Sequence, residues 1–317
     1  MNTISARIDN VTEMPKEYRN TIIPAPHSVK IELTSKCNFS CGFCSHRRNL
    51  KKYGDMDFEF YKKICKDMRD SGVEELGVFY IGESFMVPWL ADAIRYAKEI
   101  GFPYVFCTTN GSLANEKKTK DVMEAGLDSL KFSFNNSDPF QFSKVAGMAP
   151  SVFNLIKDNI KNAYRIREEG GYKTKLYASS IRYTGDQHRQ MQALVNEVTP
   201  FLDEHYWLPL LSFGDQAIEG EEILGMDKAV RGNPGRLDNM RPPMPCWAIF
   251  KEGHITHDGF LSACCFDSSN SWIMADLNKV SFMEGWNSEA FQKLREAHLK
   301  EDVHGTACEG CIYGHTN

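Results

Sequence analysis

Between Ser28 and Phe213, six short runs rich in β-branched and aromatic residues alternate with amphipathic stretches of helical length. The runs are Val29 to Leu33, Leu76 to Ile81, Tyr104 to Thr108, Leu130 to Phe134, Lys175 to Ile181 and His205 to Leu211. Strands separated by a helix return to the same end of a sheet before each new strand begins, so they pair in parallel with the helices packed outside. Phe58 to Asp70 and Phe153 to Arg167 carry apolar residues at three- and four-residue steps, the spacing of an outer helix with one buried face. Six such units are too few for the closed eight-stranded form. The pattern therefore predicts an α/β fold, a partial (β/α)6 barrel over residues 28–213, with residues 1–27 as an N-terminal extension.

Beyond Phe213 the periodicity fails in a stretch rich in Gly, Pro and charge that ends at Arg241 to Cys246, read as a linker or lid over residues 214–245. Residues 246–317 then read as a β-hairpin (Trp247 to Ile255, Phe260 to Cys264) followed by a helix near Ser288 to Leu299. So small a unit has little apolar core of its own. Cysteines at both its ends point to a metal-stapled module.

The formal charge of −5 argues against a general phosphate-binding surface and so against a nucleic-acid partner. No apolar run approaches the roughly 20 residues that span a bilayer, and the first residues lack a signal-peptide core. A membrane partner is not expected, and a cytoplasmic location is. Ten cysteines are more than packing requires; in a reducing compartment they are better read as metal ligands or reactive thiols than as disulfides.

Cys37, Cys41 and Cys44 follow directly on the first strand, on a loop at its carboxyl end, where parallel barrels place active sites. Three close thiolates can hold three irons of a cubane and leave the fourth iron open to a small chelating ligand. Zinc is the competing reading. Structural zinc wants four ligands, and His46 is the only local candidate for a fourth.

The C-x3-C-x2-C spacing, with Phe43 in the aromatic place before the last cysteine, resembles the signature of the radical S-adenosylmethionine (SAM) superfamily. The resemblance implies a [4Fe-4S] cluster bound with SAM, reductive cleavage of SAM to a 5′-deoxyadenosyl radical, and abstraction of hydrogen from a substrate. It also implies SAM contacts from Phe43, from Gly82 and Glu83 after the second strand, from Asn110 in the Thr109-Asn110-Gly111 turn, from Ser133 in the fourth strand and from Arg182 after the fifth. Ile81 stands where the family usually shows a first glycine before Gly82-Glu83. Each has a plainer reading: an exposed acid, an ordinary turn, a packed hydroxyl, a surface arginine.

Cys246, Gly259, Cys264 and the Cys308-x2-Cys311 pair resemble the twitch form of the SPASM extension. That likeness implies one auxiliary [4Fe-4S] cluster held by Cys246, Cys264, Cys308 and Cys311, with a zinc ribbon as the competing reading. The Gly-x4-Cys spacing favours Cys264 over the adjacent Cys265. Cys265, Cys107 and Cys65 are left over, and Cys265 or Cys107 is the candidate hydrogen-atom donor to a substrate radical. A closed auxiliary cluster favours oxidation of a small polar substrate, sugar or aminocyclitol-like, with the cluster as electron acceptor and flavodoxin or ferredoxin as reductant. An epimerase using a cysteine donor, and a maturase acting on a peptide or protein, are the competing enzyme readings. A non-enzymatic metal-stapled binding module is the remaining one, and the open three-cysteine site argues against it.

Overall fold

The computed structural model describes residues 3–48, 52–212, 225 and 227–314. Phe213, residues 214–224 and 226 of the expected linker, and residues 315–317 of the expected C-terminal module lie outside the described residues.

Six parallel strands form: β1 Ser28–Ile31, β2 Glu75–Gly77, β3 Tyr104–Thr109, β4 Ser129–Ser133, β5 Lys175–Ile181 and β6 Glu204–Leu208; each overlaps an expected run, but β2 ends at Gly77 rather than reaching Ile81. Their spatial order is their chain order, each bonded in parallel to the next. Helices α2 (Phe58–Asp70), α3 (Leu90–Glu99), α4 (Glu116–Glu124), α5 (Pro139–Ala146), α6 (Ser151–Gly170) and α7 (Gly185–Val198) fill the crossovers. The Asp57 side chain starts α2 by accepting the Phe60 N–H, and Tyr61, Ile64, Cys65 and Met68 form its buried face. Along β3 exposure alternates strictly. Val105, Cys107 and Thr109 are buried, while Tyr104, Phe106 and Thr108 are half-buried on the opposite face, from which Phe106 and Thr108 line a cavity.

The C-terminal module does not stand apart. Strand β7 (Glu252–Ile255) pairs in parallel with β1, and β8 (Phe260–Ser262) and β9 (Ile273–Asp276) continue antiparallel, making one nine-stranded unclosed sheet. A six-stranded open barrel leaves the polar backbone of β1 unpaired on one side, and β7 satisfies it. The expected first hairpin arm is corrected: Ala248–Lys251 is a helical turn, α8, because Phe250 and Lys251 N–H groups bond to the Trp247 carbonyl rather than to a neighbouring strand. Helices α9 (Phe282–Trp286), α10 (Glu289–Leu299) and α11 (Glu309–Tyr313) complete the module. Arg295 of α10 is fully buried without a carboxylate partner among the described contacts. Its guanidinium donates to the carbonyls of Ile249, Thr21 and Trp286 and to Asn287, stapling three segments together.

The N-terminal extension contains a helix, α1 (Ile4–Thr12), capped by Thr3. It closes the base of the barrel. Arg7 pairs with Glu75 at 2.5 Å and lies 3.3 Å from the centroid of the Tyr104 ring, and Ser5 bonds to Glu204, all at strand beginnings. On its other side Asp9 receives Arg236 at 2.9 and 2.8 Å, tying α1 to the segment before Cys246.

His205 on β6 is set beside Trp207 and the Ser180 hydroxyl, and burial lowers its pKa from the ordinary 6.5 to about 4. The folded state thus takes up this proton less readily than the unfolded chain. Its contribution to stability is complete above pH 6.5 and is lost as the pH falls toward 4. Thermal melts from pH 7 to 5 should show a smaller loss of Tm in His205→Gln than in wild type; equal losses would remove His205 from the acid sensitivity.

Candidate active site

The loop after β1 is held from three sides. Ser35 exchanges hydrogen bonds with Gly54 (3.0 and 2.9 Å), and Thr34 donates to Asp55 at 2.6 Å. Glu83 N–H donates to the Lys36 carbonyl at 2.8 Å, and Ser40 and Gly42 N–H groups donate to Ala146 and Val145 at the end of α5. Gly82 is required by this packing. A Cβ there would stand 2.1 Å from the Thr34 carbonyl oxygen and 2.7 Å from that of Lys36. The sequence reading gave Gly82 the task of letting SAM approach; in the structure its closest neighbour is the cysteine loop itself.

Burial raises the pKa of all three loop thiols: Cys41 with added repulsion from Cys44 and Cys37, Cys37 to about 12 with added repulsion from Glu83 and Cys44, and Cys44 through burial alone. Thiols so placed ionise only when a cation offsets the buried charge, which is what coordinated iron does. Among the described residues, no three His, Cys, Asp or Glu side chains gather tightly enough to hold a single metal ion. His46, weighed above as a zinc ligand, instead sets its Nε2 2.9 Å from the Ser35 carbonyl and stacks on Tyr53.

A cavity of about 200 Å³ adjoins these thiols, lined by Phe43, Gly82, Glu83, Asn110 and Ser133 among others. Glu83 is 2% exposed and organises its rim: Oε1 accepts from Phe85 N–H (3.0 Å) and the Thr109 hydroxyl (2.9 Å), and Oε2 accepts from Asn110 N–H (2.7 Å). Burial raises its pKa, partly offset by these donors. A carboxylate has about four acceptor positions, so one remains for an ammonium. Asn110 in turn donates to Asn38 at 2.9 Å, binding the Thr-Asn-Gly turn to the cysteine loop. Gly111 completes that turn at φ +82°, a conformation that favours glycine.

Arg182 is placed elsewhere. Half exposed, it pairs with Asp227 at 2.6 Å and lines neither this cavity nor the one inside the barrel. The sequence reading missed Asn135 and Asn136, which line the SAM-side cavity directly after β4. Asn136 Oδ1 is buried without a hydrogen-bond partner, an acceptor suited to an ammonium or hydroxyl of the bound molecule. Their signal was the polar pair at the carboxyl end of a barrel strand.

In the C-terminal module Cys246, Cys308 and Cys311 are buried, and Cys264 comes near Cys308 and Cys311. Cys265 also lies within electrostatic reach of Cys246 and Cys311, but it faces Lys30 and Glu252 as well and lines the barrel interior. His298 accepts the Cys246 N–H on Nδ1 at 3.2 Å. Tyr80 bridges the two cysteine groups: it lines the SAM-side cavity, and its hydroxyl donates to the Cys264 carbonyl at 2.7 Å.

An open parallel barrel with three thiols at its carboxyl mouth, joined to a module with five more, is the architecture of an enzyme that pairs an iron-sulfur cluster with a small activating ligand. The radical SAM superfamily model matches residues 31–178, and the SPASM iron-sulfur cluster-binding domain matches residues 246–312. The chain belongs to the radical SAM superfamily and carries a C-terminal SPASM domain, so its cofactors are a [4Fe-4S] cluster bound with SAM and an auxiliary iron-sulfur centre. It is 28% identical over 167 residues to the tungsten-containing aldehyde ferredoxin oxidoreductase cofactor-modifying protein of Pyrococcus furiosus, a match covering 52% of this chain and 46% of that protein. The chain thus spans about half the length of that relative. To the PqqA peptide cyclase of Xanthomonas axonopodis it is 28% identical over 313 residues, 92% of this chain and 81% of that one. Its fold is similar to BtrN in complex with AdoMet and 2-DOIA (TM-score 0.55, 16% identity, covering 86% of this chain and 87% of that one). It is similar also to Streptococcus suis SuiB bound to precursor peptide SuiA (TM-score 0.65, 13% identity, covering 86% and 67%).

Anaerobically reconstituted protein should carry about eight irons, and replacing Cys37, Cys41 and Cys44 together by Ala should remove about half of them. Zinc in the anaerobically purified protein would contradict this. Glu83→Gln should weaken SAM binding by roughly 1 to 3 kcal/mol, with both clusters retained, because an amide presents a donor to the N–H groups that Glu83 now receives. Unchanged affinity in a SAM titration would set the assignment aside.

Proposed function

We propose that this protein cleaves SAM reductively and oxidises a small polar molecule, of sugar or aminocyclitol type, held inside the barrel. Cys37, Cys41 and Cys44 would hold the SAM-binding cluster, and Cys246, Cys264, Cys308 and Cys311 the auxiliary one. The clusters supply electron transfer, one electron into SAM and one out of the substrate. In balance, the 5′-deoxyadenosyl radical takes one hydrogen from a carbinol carbon, and the resulting radical gives up an electron and a proton to become a carbonyl. Glu83, Asn110, Ser133 and Asn136 orient SAM from the mouth.

The observation that carries this reading is a second cavity, about 230 Å³, inside the barrel. Phe79 and Thr108 line both it and the SAM-side cavity, so an occupant lies beside the place where the radical forms. Trp247 and Cys265 bring the SPASM domain to its wall. Enclosure of this size suits a small molecule. BtrN, with its bound 2-DOIA, lends the small-substrate reading support from a protein of the same fold. Among the described residues, no helix is long and apolar enough to cross a membrane. We place the protein in the cytoplasm, with flavodoxin or ferredoxin as its reductant.

Two observations favour other outcomes. Cys265 and Cys107 both border the cavity, as a hydrogen donor in an epimerase would; Cys107 is less suited, being 1% exposed with its thiol 4.0 Å from the Val78 carbonyl. The PqqA peptide cyclase and SuiB bound to SuiA support a peptide substrate.

The test is turnover by dithionite-reduced enzyme in D2O with panels of sugars, aminocyclitols and peptides. Formation of 5′-deoxyadenosine with a product two hydrogens lighter and free of solvent deuterium at the attacked carbon is the expected result. A product of unchanged oxidation state carrying one deuterium, lost in Cys265→Ala, would make the enzyme an epimerase. Turnover confined to the peptides would replace the small-molecule reading.

A further inference from the structure

The barrel-interior cavity is lined by five charged side chains: Arg7, Lys30 and Lys131 against Glu75 and Glu252. Four of them neutralise one another in pairs. Arg7 meets Glu75 at 2.5 Å, and Lys30 meets Glu252 at 2.8 Å. Burial works against the charge of both members of the second pair, yet each keeps it. The Glu252 carboxylate holds Lys30 above its ordinary pKa, and Lys30 with His254 brings Glu252 down to about 2.

Lys131 is the cation left over. Its Nζ donates to the Tyr206 hydroxyl at 3.1 Å, and no carboxylate among the described residues stands within ion-pair distance. An ammonium has three N–H groups, so this neutral acceptor satisfies one of them. A half-buried ammonium that faces a cavity with no carboxylate partner is open to an anion. A second observation points to the same occupant. Ser28, 1% exposed, lines this cavity from β1 while Lys131 lines it from β4, and the Ser28 hydroxyl has no hydrogen-bond partner. Buried hydroxyls are rarely left unpaired, and this one can donate to an oxygen of a bound molecule.

We infer that the substrate carries an anionic group, a carboxylate or a phosphate, seated against Lys131 inside the barrel. The inference rests on the reading of this cavity as the substrate site and narrows it from polar molecules in general to anionic ones. Lys131 is a specificity-determining residue. It holds the charged end of the substrate and takes no part in cleaving SAM.

The experiment uses holoenzyme with both clusters and SAM bound, unreduced, titrated calorimetrically with glucuronate, glucose 6-phosphate, an acetylated glutamate-containing tripeptide and neutral glucose. At least one anionic probe should bind about tenfold or more tighter than glucose, as expected for a charge-assisted contact. Which of the three binds best separates a small carboxylate, a phosphate ester and an acidic peptide side chain. Lys131→Gln should abolish the preference, Lys131→Arg should preserve most of it, and Ser28→Ala should reduce it in part; iron content and SAM binding should be unchanged in all three. Equal affinity for glucose and every anionic probe in the wild type, or a preference that survives Lys131→Gln, would overturn the inference. SAM cleavage by the same wild-type preparation after reduction is measured alongside. If 5′-deoxyadenosine forms without an anion preference, the inference alone fails. If none forms with any substrate panel, the underlying reading fails and takes the inference with it.

Discussion

The pairing of β7 with β1 fixes the geometry on which everything else depends. One strand delivers the chain to Cys37, and the other leads through a hairpin to Cys264; four register pairs, from Ser28↔Glu252 to Ile31↔Ile255, hold them side by side. Backbone hydrogen bonds between buried strands are among the least yielding contacts in a protein. The strands that lead to the two cysteine groups are therefore held side by side by a sheet. Lys30 and Glu252, reaching across these two strands, add a buried ion pair whose partners come from different halves of the chain. Removing either partner alone would leave an uncompensated charge in the barrel.

Around the mouth a second order of organisation is built from short polar contacts. Glu83 gathers two backbone N–H groups and a hydroxyl, Asn110 reaches Asn38 and Ser112, and Gly82 lets the second-strand loop lie against the first. Each residue singled out by family likeness around the Gly-Glu and Thr-Asn-Gly turns thus has a structural task within the chain besides any contact to SAM. The consequence is coupling. The cysteine loop, the acid and the turn form a single hydrogen-bonded unit, so a change in one is felt by the other two.

Much of this was legible in the sequence. The six barrel strands follow from β-rich runs, and helix α2 falls on the residues its apolar spacing marked. What escaped was of another kind. Alternation shows that a segment is a strand but not which strand it meets, so β7 read as half of an isolated hairpin rather than as a neighbour of β1. Helix α1 is short and owes its place to tertiary contacts, although Ile4, Ile8 and Val11 carry the spacing of a buried face. Arg182 lies after a barrel strand as expected, yet Asp227 lies closer to it than any cavity does. The charge imbalance at Lys131 depends on which acids its neighbours have already taken, and only coordinates show that.

Helix α1 has a consequence for how such a barrel can change its appetite. The strands that carry the cysteines and the SAM-side turns are locked into one sheet, but Ile4, Arg7, Ile8 and Val11 form the floor of the inner cavity from a nine-residue segment hydrogen-bonded to no strand backbone. Exchanging Ile4, Arg7 or Ile8 would deepen, fill or recharge the chamber, whereas Val11 packs in one apolar cluster with Cys246 and Trp247 and so is tied to the C-terminal cysteines. On the proposed reading, the mouth where SAM would bind and the floor of the chamber are in this sense separately editable, and an evolving lineage could refit the floor at Ile4, Arg7 and Ile8 while the mouth stays as it is.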